Sequence, residues 1–139
     1  MGIIILHFPI KQIFPLIRQW IDENKSDLKG KVVVDAPAGN GYSSKLLKEA
    51  GAQVHAFDLI PDFFSQQGLE CQFADIGQRI PMDDQSTDLI LCQEGIEHIS
   101  DQIQAFEEFN RILKPGGKLV ITTPNYSNLR SRLSYLLAE

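Results

Sequence analysis

Carboxylates follow two short apolar runs in the first half of this chain. Asp35 ends the run at 32–34 and opens a loop of small residues that contains Gly39 and Gly41, and Asp58 ends a second run. Glycine lets the backbone approach a ligand closely, and a carboxylate can accept hydrogen bonds from both hydroxyls of a ribose. A nucleotide-type cofactor site typically has this order of elements: a strand, a glycine loop, a helix, a second strand and a carboxylate. The pattern predicts a ligand that contains adenosine.

Two further polar residues stand at the ends of predicted strands. Asp75 follows a strand at 71–74, and Gln93 follows a strand at 87–92. The carboxyl ends of parallel strands meet at one edge of a sheet, and ligands of open α/β sheets bind outside that edge. We therefore expect Asp75 and Gln93 to lie near Asp35 and Asp58.

The elements that must position these side chains alternate between strands and helices. The apolar patterns predict strands near 31–35, 53–57, 71–74, 87–92 and 118–123, and helices near 9–25, 42–50, 63–67, 101–113 and 127–138. This alternation predicts an α/β fold with a doubly wound, mainly parallel, Rossmann-like sheet and helices on both faces. Residues 1–30 are interpreted as an N-terminal helical cap, and residues 31–139 as the cofactor-binding domain.

Composition narrows the class of protein. The 139 residues suffice for one domain, with 43% hydrophobic and 22% charged residues, and the net charge of −5 argues against nucleic acid as the main partner. The two cysteines, Cys71 and Cys92, lie in or beside apolar runs, which favours reduced thiols in a cytoplasmic protein. The apolar run at 3–6 is far shorter than the roughly 18 residues of a membrane span, so no membrane association is expected.

Four ordered motifs together carry a family resemblance. They are VVDAPAGNG at 33–41, the loop at Asp75, PMDDQSTDLILCQEGIEH at 81–98 and RILKPGGKLVITTPN at 111–125. Over about residues 31–125 the chain closely resembles class I S-adenosylmethionine-dependent methyltransferases. The resemblance implies S-adenosylmethionine as the cofactor and methyl transfer as the activity. A nicotinamide oxidoreductase is a distant alternative, because a glycine loop alone does not distinguish the two cofactors.

The resemblance also implies roles for residues at the matching positions. Gly39 and Gly41 would run under the methionine part of the cofactor, Asp35 would help to orient its amino group, and Asp58 would hold the ribose hydroxyls. On the adenine side, Asp75 would bind the exocyclic amine and Ile76 would lie beside the ring. Gln93 would lie near the methionine end.

The chain departs from the family pattern in two places. Pro37 replaces the usual first glycine of the loop, which fixes φ and removes an N–H donor. We expect a functional loop, with a noncatalytic domain that binds cofactor or a partner as the alternative. Members of the superfamily usually continue with two more strands, so residues 31–139 are expected to be a C-terminally incomplete domain without them. The strand at 118–123 is therefore expected to be an exposed edge, which a homodimer could cover.

The methyl group of a sulfonium is already activated, so the acceptor needs mainly orientation and, for a hydroxyl, a base. His98 is the candidate base, because its ordinary pKa lies near neutrality. Glu94, Glu97 and His98 also form a pattern that could hold Mg²⁺, but the same pattern is common in relatives without metal, and we predict no metal.

The predicted acceptor is a small molecule or a sugar with an oxygen or nitrogen nucleophile. The resemblance extends to Asn125, Tyr126 and Arg130, which are candidate acceptor contacts. The alternative is that Pro124 and Asn125 merely end the strand and cap the next helix.

Overall fold

A computed structural model describes residues 1–6 and 12–123. Within these residues, six parallel strands form one sheet in the order β1-β6-β5-β2-β3-β4. The strands are β1 (Gly2–Leu6), β2 (Val32–Asp35), β3 (Gln53–Asp58), β4 (Cys71–Phe73), β5 (Thr87–Gln93) and β6 (Leu113–Thr122). The helices are α1 (Ile13–Glu23), α2 (Lys25–Leu28), α3 (Tyr42–Glu49) and α4 (Gln102–Ile112), with 3₁₀ turns at Pro61–Phe63 and Ile96–His98.

Helices cover both faces of the sheet, as the predicted fold class requires. Val33 belongs to a buried cluster with Ile17 of α1 and Leu47 of α3. Its neighbour Val34 belongs to the opposite cluster, which contains Phe109 of α4. Successive residues of a strand point to opposite faces, so the unbroken apolar run of β2 fits a strand that is buried on both sides. The Rossmann-like α/β prediction is confirmed.

The N-terminal segment differs from the helical cap predicted for residues 1–30. Residues 2–6 form a strand, β1, that pairs in parallel with β6 from Gly2 opposite Lys118 to Leu6 opposite Thr122. The prediction that the strand at 118–123 has an exposed edge is therefore wrong, because β1 covers it. The homodimer was expected because that edge would be exposed, and this argument for it no longer holds. The helix predicted at 9–25 is present from Ile13 onward.

Two boundaries also differ from the prediction. The helix expected at 63–67 is instead the 3₁₀ turn at Pro61–Phe63, and Phe64 after it is already extended. The last described strand, β6, begins at Leu113 rather than at 118. Its register with β5 shifts, because Thr87 pairs with Leu113 whereas Leu89 pairs with Lys118. The helix predicted at 127–138 and the candidate acceptor contacts Asn125, Tyr126 and Arg130 lie outside the described residues.

None of the helices in the described ranges is long and apolar enough to cross a membrane.

Candidate active site

The loop between β2 and α3 uses its two central glycines differently. Gly39 (φ +54°) and Gly41 (φ +85°) both adopt the left-handed conformation that favours glycine. A Cβ on Gly39 would have no atom within 4 Å, whereas a Cβ on Gly41 would lie 2.5 Å from the ring of Phe64. Gly39 therefore leaves one side of the loop open to a ligand. Gly41 makes room for the protein's own Phe64, which the sequence did not indicate.

The segment that carries Phe64 is fixed to the glycine loop by hydrogen bonds to the backbone carbonyl of Asn40. Asn40 O accepts hydrogen bonds from Ser65 N at 3.2 Å and from Gln66 Nε2 at 3.1 Å. Asn40 Oδ1 accepts from Tyr42 N at 3.1 Å, at the start of α3. These contacts hold the glycine loop at Asn40.

A cavity of about 340 Å³ opens at the carboxyl ends of the strands. Its size lies within the range of small-molecule sites. The lining residues come from α1, the glycine loop, the start of α3 and the ends of β3 and β5: Phe14, Pro37, Ala38, Gly39, Asn40, Tyr42, Ser43, Asp58, Gln93 and Glu94. Three of the residues predicted from the sequence, Gly39, Asp58 and Gln93, thus share one cavity.

Asp58 is held in a fixed orientation at the wall of this cavity. Its Oδ2 accepts a hydrogen bond from Gly39 N at 2.8 Å, and its Oδ1 accepts one from Ile60 N at 2.9 Å. A carboxylate offers about four lone-pair positions, so each oxygen keeps capacity for one more donor. The carboxylate is therefore preorganised to accept two hydroxyl groups from a ligand.

Asp35 lies beneath the loop and is only 1% exposed, so it does not line the cavity. Ser44 Oγ donates to its Oδ2 at 2.6 Å. Burial raises the pKa of Asp35 to about 7, against the lowering effect of the Ser44 hydrogen bond, and the negative charge of Asp58 adds to the increase. A positive charge bound in the cavity above would favour the ionised form of Asp35.

The end of β5 forms the opposite wall. Ser43 Oγ donates to Gln93 Oε1 at 2.6 Å, which fixes the Gln93 amide. Glu94 has a φ of +48°, a conformation uncommon outside glycine, and Glu94 N donates to both Thr122 O and Thr122 Oγ1 at 3.1 Å. Burial raises the pKa of Glu94, and the nearby Glu97 adds to this effect.

Ser43, Glu94 and Phe14 line the cavity although the sequence did not predict them as cofactor residues. Ser43 stands in the first turn of the helix that follows the glycine loop, and this position is a signal that the sequence does contain. Glu94 directly follows Gln93, but its sequence pattern with Glu97 and His98 suggests only a metal ligand. Phe14 reaches the cavity from α1, and nothing in its spacing indicates this contact.

Asp75 and Ile76 follow β4 at the same edge of the sheet but do not line this cavity. The position of β4 is fixed by its pairing with β3, in which Phe73 lies opposite Asp58. Asp75 Oδ1 accepts a hydrogen bond from Gly77 N at 2.8 Å, and Ile76 is buried. Their contacts with an adenine ring stay a prediction.

His98 lies in the 3₁₀ turn after β5, is exposed and is not part of the cavity lining. Glu97 Oε2 is buried and has no hydrogen-bond partner among the residues that the structure describes. Within residues 1–6 and 12–123, no three histidine, cysteine or acidic side chains are placed so that they could hold a metal ion.

Comparison with known proteins identifies the class. A family model described as "Methyltransferase domain" matches residues 34–121, and the chain belongs to this family. It is a member of the class I S-adenosylmethionine-dependent methyltransferases, as its motifs indicated. The match spans β2 to β6 and thus contains the glycine loop, Asp58 and Gln93.

Two curated relatives carry the name ubiquinone biosynthesis O-methyltransferase. The protein from Acinetobacter baylyi is 31% identical over 140 residues, which cover 94% of this chain and 57% of the relative. The protein from Bordetella bronchiseptica is also 31% identical, with 94% and 56% covered. The chain therefore spans a little over half the length of these relatives.

Solved structures show the same fold. An S-adenosylmethionine-dependent methyltransferase from Mesorhizobium loti superposes with a TM-score of 0.65 at 23% identity, over 77% of this chain and 51% of that one. A putative S-adenosylmethionine-dependent methyltransferase from Methanococcus maripaludis superposes with a TM-score of 0.63 at 25% identity. The superposition covers 91% of this chain and 65% of that one.

Proposed function

We propose that this domain binds S-adenosylmethionine across the carboxyl ends of β2, β3 and β5 and transfers its methyl group to a small-molecule acceptor. The observation that carries the proposal is the position of Asp58. Its carboxylate is oriented by two backbone N–H groups beside the open side of Gly39. The carboxylate of Asp58 fits the two free hydroxyls of a ribose. The open side of Gly39 fits the part of the ligand that continues from the ribose along the backbone of the glycine loop.

The remaining predicted residues complete the proposed cofactor site. Gln93, fixed by Ser43, would bind at the methionine end, and Asp35 in its ionised form would stabilise a positive charge there. Asp75 and Ile76 would bind the adenine at the edge beyond Asp58. The sulfonium supplies an activated methyl group, so the residues of this chain need mainly to orient the acceptor and exclude water.

An oxygen nucleophile is the acceptor that we favour. The relatives named for O-methylation in ubiquinone biosynthesis support a hydroxyl on a small molecule. His98 would accept the proton of this hydroxyl, since its exposed ring can meet a substrate that arrives from solvent. The net charge of −5 argues against nucleic acid as the acceptor. Both cysteines are free thiols, which supports the cytoplasm as the location.

The test of catalysis compares two variants of the whole chain. We expect His98→Ala to slow methyl transfer to a phenolic acceptor by about 10²-fold, the usual contribution of a general base, with little change in the affinity for S-adenosylhomocysteine. His55→Ala, in an exposed position of β3, is the control and should change neither quantity. Equal turnover of the two variants would remove His98 as the base.

A noncatalytic cofactor-binding domain is the second candidate, and Pro37 is the observation that favours it. Pro37 lines the cavity and has no N–H to donate to a ligand. Binding of S-adenosylhomocysteine without methyl transfer to phenols, catechols or amines would support this candidate.

A further inference from the structure

A second cavity lies at the end of the strands opposite the proposed cofactor site, and we call it the amino-end cavity. Its volume of about 390 Å³ is within the range of small-molecule sites. It is lined at the amino ends of three strands by Lys31 before β2, Asp88 near the start of β5 and the segment 114–118 of β6. The end of α1 and the short helix α2 form the rest of its wall. It shares no lining residue with the cofactor cavity.

A bulge in the sheet shapes one side of the amino-end cavity. β6 pairs with β5 at Leu113 and then, after a shift in register, from Lys118 onward. The four residues between them, 114–117, stand opposite Asp88 alone, so they leave the ladder, and all four line the cavity. Gly116 in this bulge has φ +77°, and a Cβ on it would meet no atom within 4 Å. Bulges are common beside functional sites.

The charged side chains of the lining are unequal in number. The lining contains three lysines and two aspartates, although the whole chain has a net charge of −5. Asp88 is already engaged, because its Oδ1 accepts a hydrogen bond from Lys114 Nζ at 3.1 Å and its Oδ2 accepts one from Val32 N at 2.8 Å. Lys114 and Asp88 therefore neutralise each other.

Lys31 and Lys118 are the cations that remain for a ligand. Both are exposed, and within residues 1–6 and 12–123 no hydrogen bond or ion pair engages their ammonium groups. The remaining acid of the lining is Asp27, on α2. The lining thus has an excess of one positive charge, which complements a monoanion such as a carboxylate.

The amino-end cavity also offers apolar surface to a ring. Trp20 is half-buried, packs against the core cluster that contains Val33, and lines the cavity. Leu28 and Leu89 are buried and line it as well. Indole rings stack on other aromatic rings, and apolar walls with a few charged groups are typical of small-molecule sites.

We propose that the amino-end cavity binds a small aromatic carboxylate. The ring of this ligand would lie against Trp20, and its carboxylate would accept hydrogen bonds from Lys31 and Lys118. No residue of the proposed cofactor site takes part, so the proposal does not depend on methyl transfer.

The test adds benzoate to the whole chain while the fluorescence of Trp20, its single tryptophan, is recorded. We expect a saturable change with a dissociation constant on the order of 1 mM, because so small a ligand makes few contacts. Benzamide keeps the ring without the charge, and acetate keeps the charge without the ring. Each should bind at least about tenfold more weakly than benzoate. Saturation-transfer NMR of the benzoate protons is a second measurement that does not rely on the tryptophan.

Single variants test the two cations. Lys31→Met and Lys118→Met keep an unbranched side chain but remove the charge, and each should weaken benzoate binding at least about tenfold. Lys45→Met is the control, since Lys45 lies on α3 outside the lining, and it should leave binding unchanged. An unchanged midpoint of urea unfolding would show that the variants are folded.

Four results would overturn the proposal. They are absence of benzoate binding in both measurements, binding of benzamide or acetate as tight as that of benzoate, unchanged binding in either variant of the cavity lysines, and competition between benzoate and S-adenosylhomocysteine. Competition would mean that benzoate occupies the cofactor cavity instead.

Discussion

The ring of Pro37 lies against the backbone of Gly95, so close that a Cβ on Gly95 would overlap Pro37 Cδ. Pro37 stands where the family pattern has a glycine, and Gly95 follows the end of β5 on the other side of the cavity. Close packing in protein interiors leaves no space for an added carbon at such a contact. The proline in the glycine loop is therefore accommodated by a missing side chain at position 95.

Gly95→Ala should reveal this dependence. We expect the substitution to lower the free energy of unfolding by about 1 to 3 kcal/mol, the usual cost of overpacking, and to weaken cofactor binding because the loop must move. Gly2→Ala is the control, since its Cβ would meet no atom closer than 3.8 Å. Denaturant unfolding and titration with S-adenosylhomocysteine measure the two effects.

The double variant Pro37→Gly with Gly95→Ala tests the cause. Removing the ring should restore much of the stability that Gly95→Ala loses, which gives a coupling energy between the two positions. Additive losses would show that Gly95 is required for a reason other than Pro37.

Asp35→Asn should make stability less dependent on pH. The pKa of buried Asp35 is raised from 3.8 to about 7, so the folded state binds the proton more tightly than the unfolded state. The free energy of unfolding that this group contributes is therefore fully present below the unfolded pKa of 3.8 and decreases as the pH rises to about 7. The amide of the variant is neutral at every pH and can still accept the hydrogen bond from Ser44.

Thermal unfolding at two pH values checks this expectation. The stability of Asp35→Asn relative to the natural chain should increase by about 1 kcal/mol or more between about pH 5 and about pH 8. Asp62→Asn, at an exposed position, is the control, and its stability relative to the natural chain should differ little between the two pH values. A relative stability of Asp35→Asn that is independent of pH would contradict the raised pKa.

Arg111 ties α4 to the segment that follows Asp75. Its guanidinium donates to Glu108 Oε1 at 2.5 Å and Oε2 at 2.8 Å, to Asp84 Oδ1 at 2.6 Å, and to the carbonyls of Ile80 and Met82 at 3.0 Å. Lysine cannot reproduce this planar set of contacts.

We expect Arg111→Lys to lower the free energy of unfolding by about 2 kcal/mol, measured in urea, because charged hydrogen bonds to partly buried groups are lost. Lys45→Met is the control. Lys45 Nζ lies 4.0 Å from Glu49 Oε1, both side chains are more than half exposed, and such exposed ion pairs contribute little to the free energy of unfolding. Equal stability of the two variants would mean that the Arg111 contacts do not hold the segment.

The sequence predicts the centre of this fold better than its edges. The order of β2, α3, β3 and β5 follows from apolar runs, a glycine loop and strand-end polar residues, all of which are local signals. The position of β1 follows from its pairing with β6, more than a hundred residues away. No strand is predicted at residues 2–6, which fall within the predicted helical cap, so the strand at 118–123 was expected to have an open edge.

The same limit applies to the candidate site. Asp58 and Gln93 could be placed at the cavity because each ends a strand. The contact of Gly41 with Phe64 and that of Gly95 with Pro37 depend on how loops from different strands meet. No spacing along the chain encodes these contacts.

Calorimetric titration of the chain with S-adenosylhomocysteine tests the proposed cofactor site most directly, with NADH as the control ligand and Asp58→Ala as the control protein. We expect micromolar binding of S-adenosylhomocysteine alone and a loss of at least about tenfold in Asp58→Ala, because charged hydrogen bonds to the ribose contribute about 1.5 to 3 kcal/mol. Absence of binding to the folded chain, or equal affinity in folded Asp58→Ala, would contradict the proposed site.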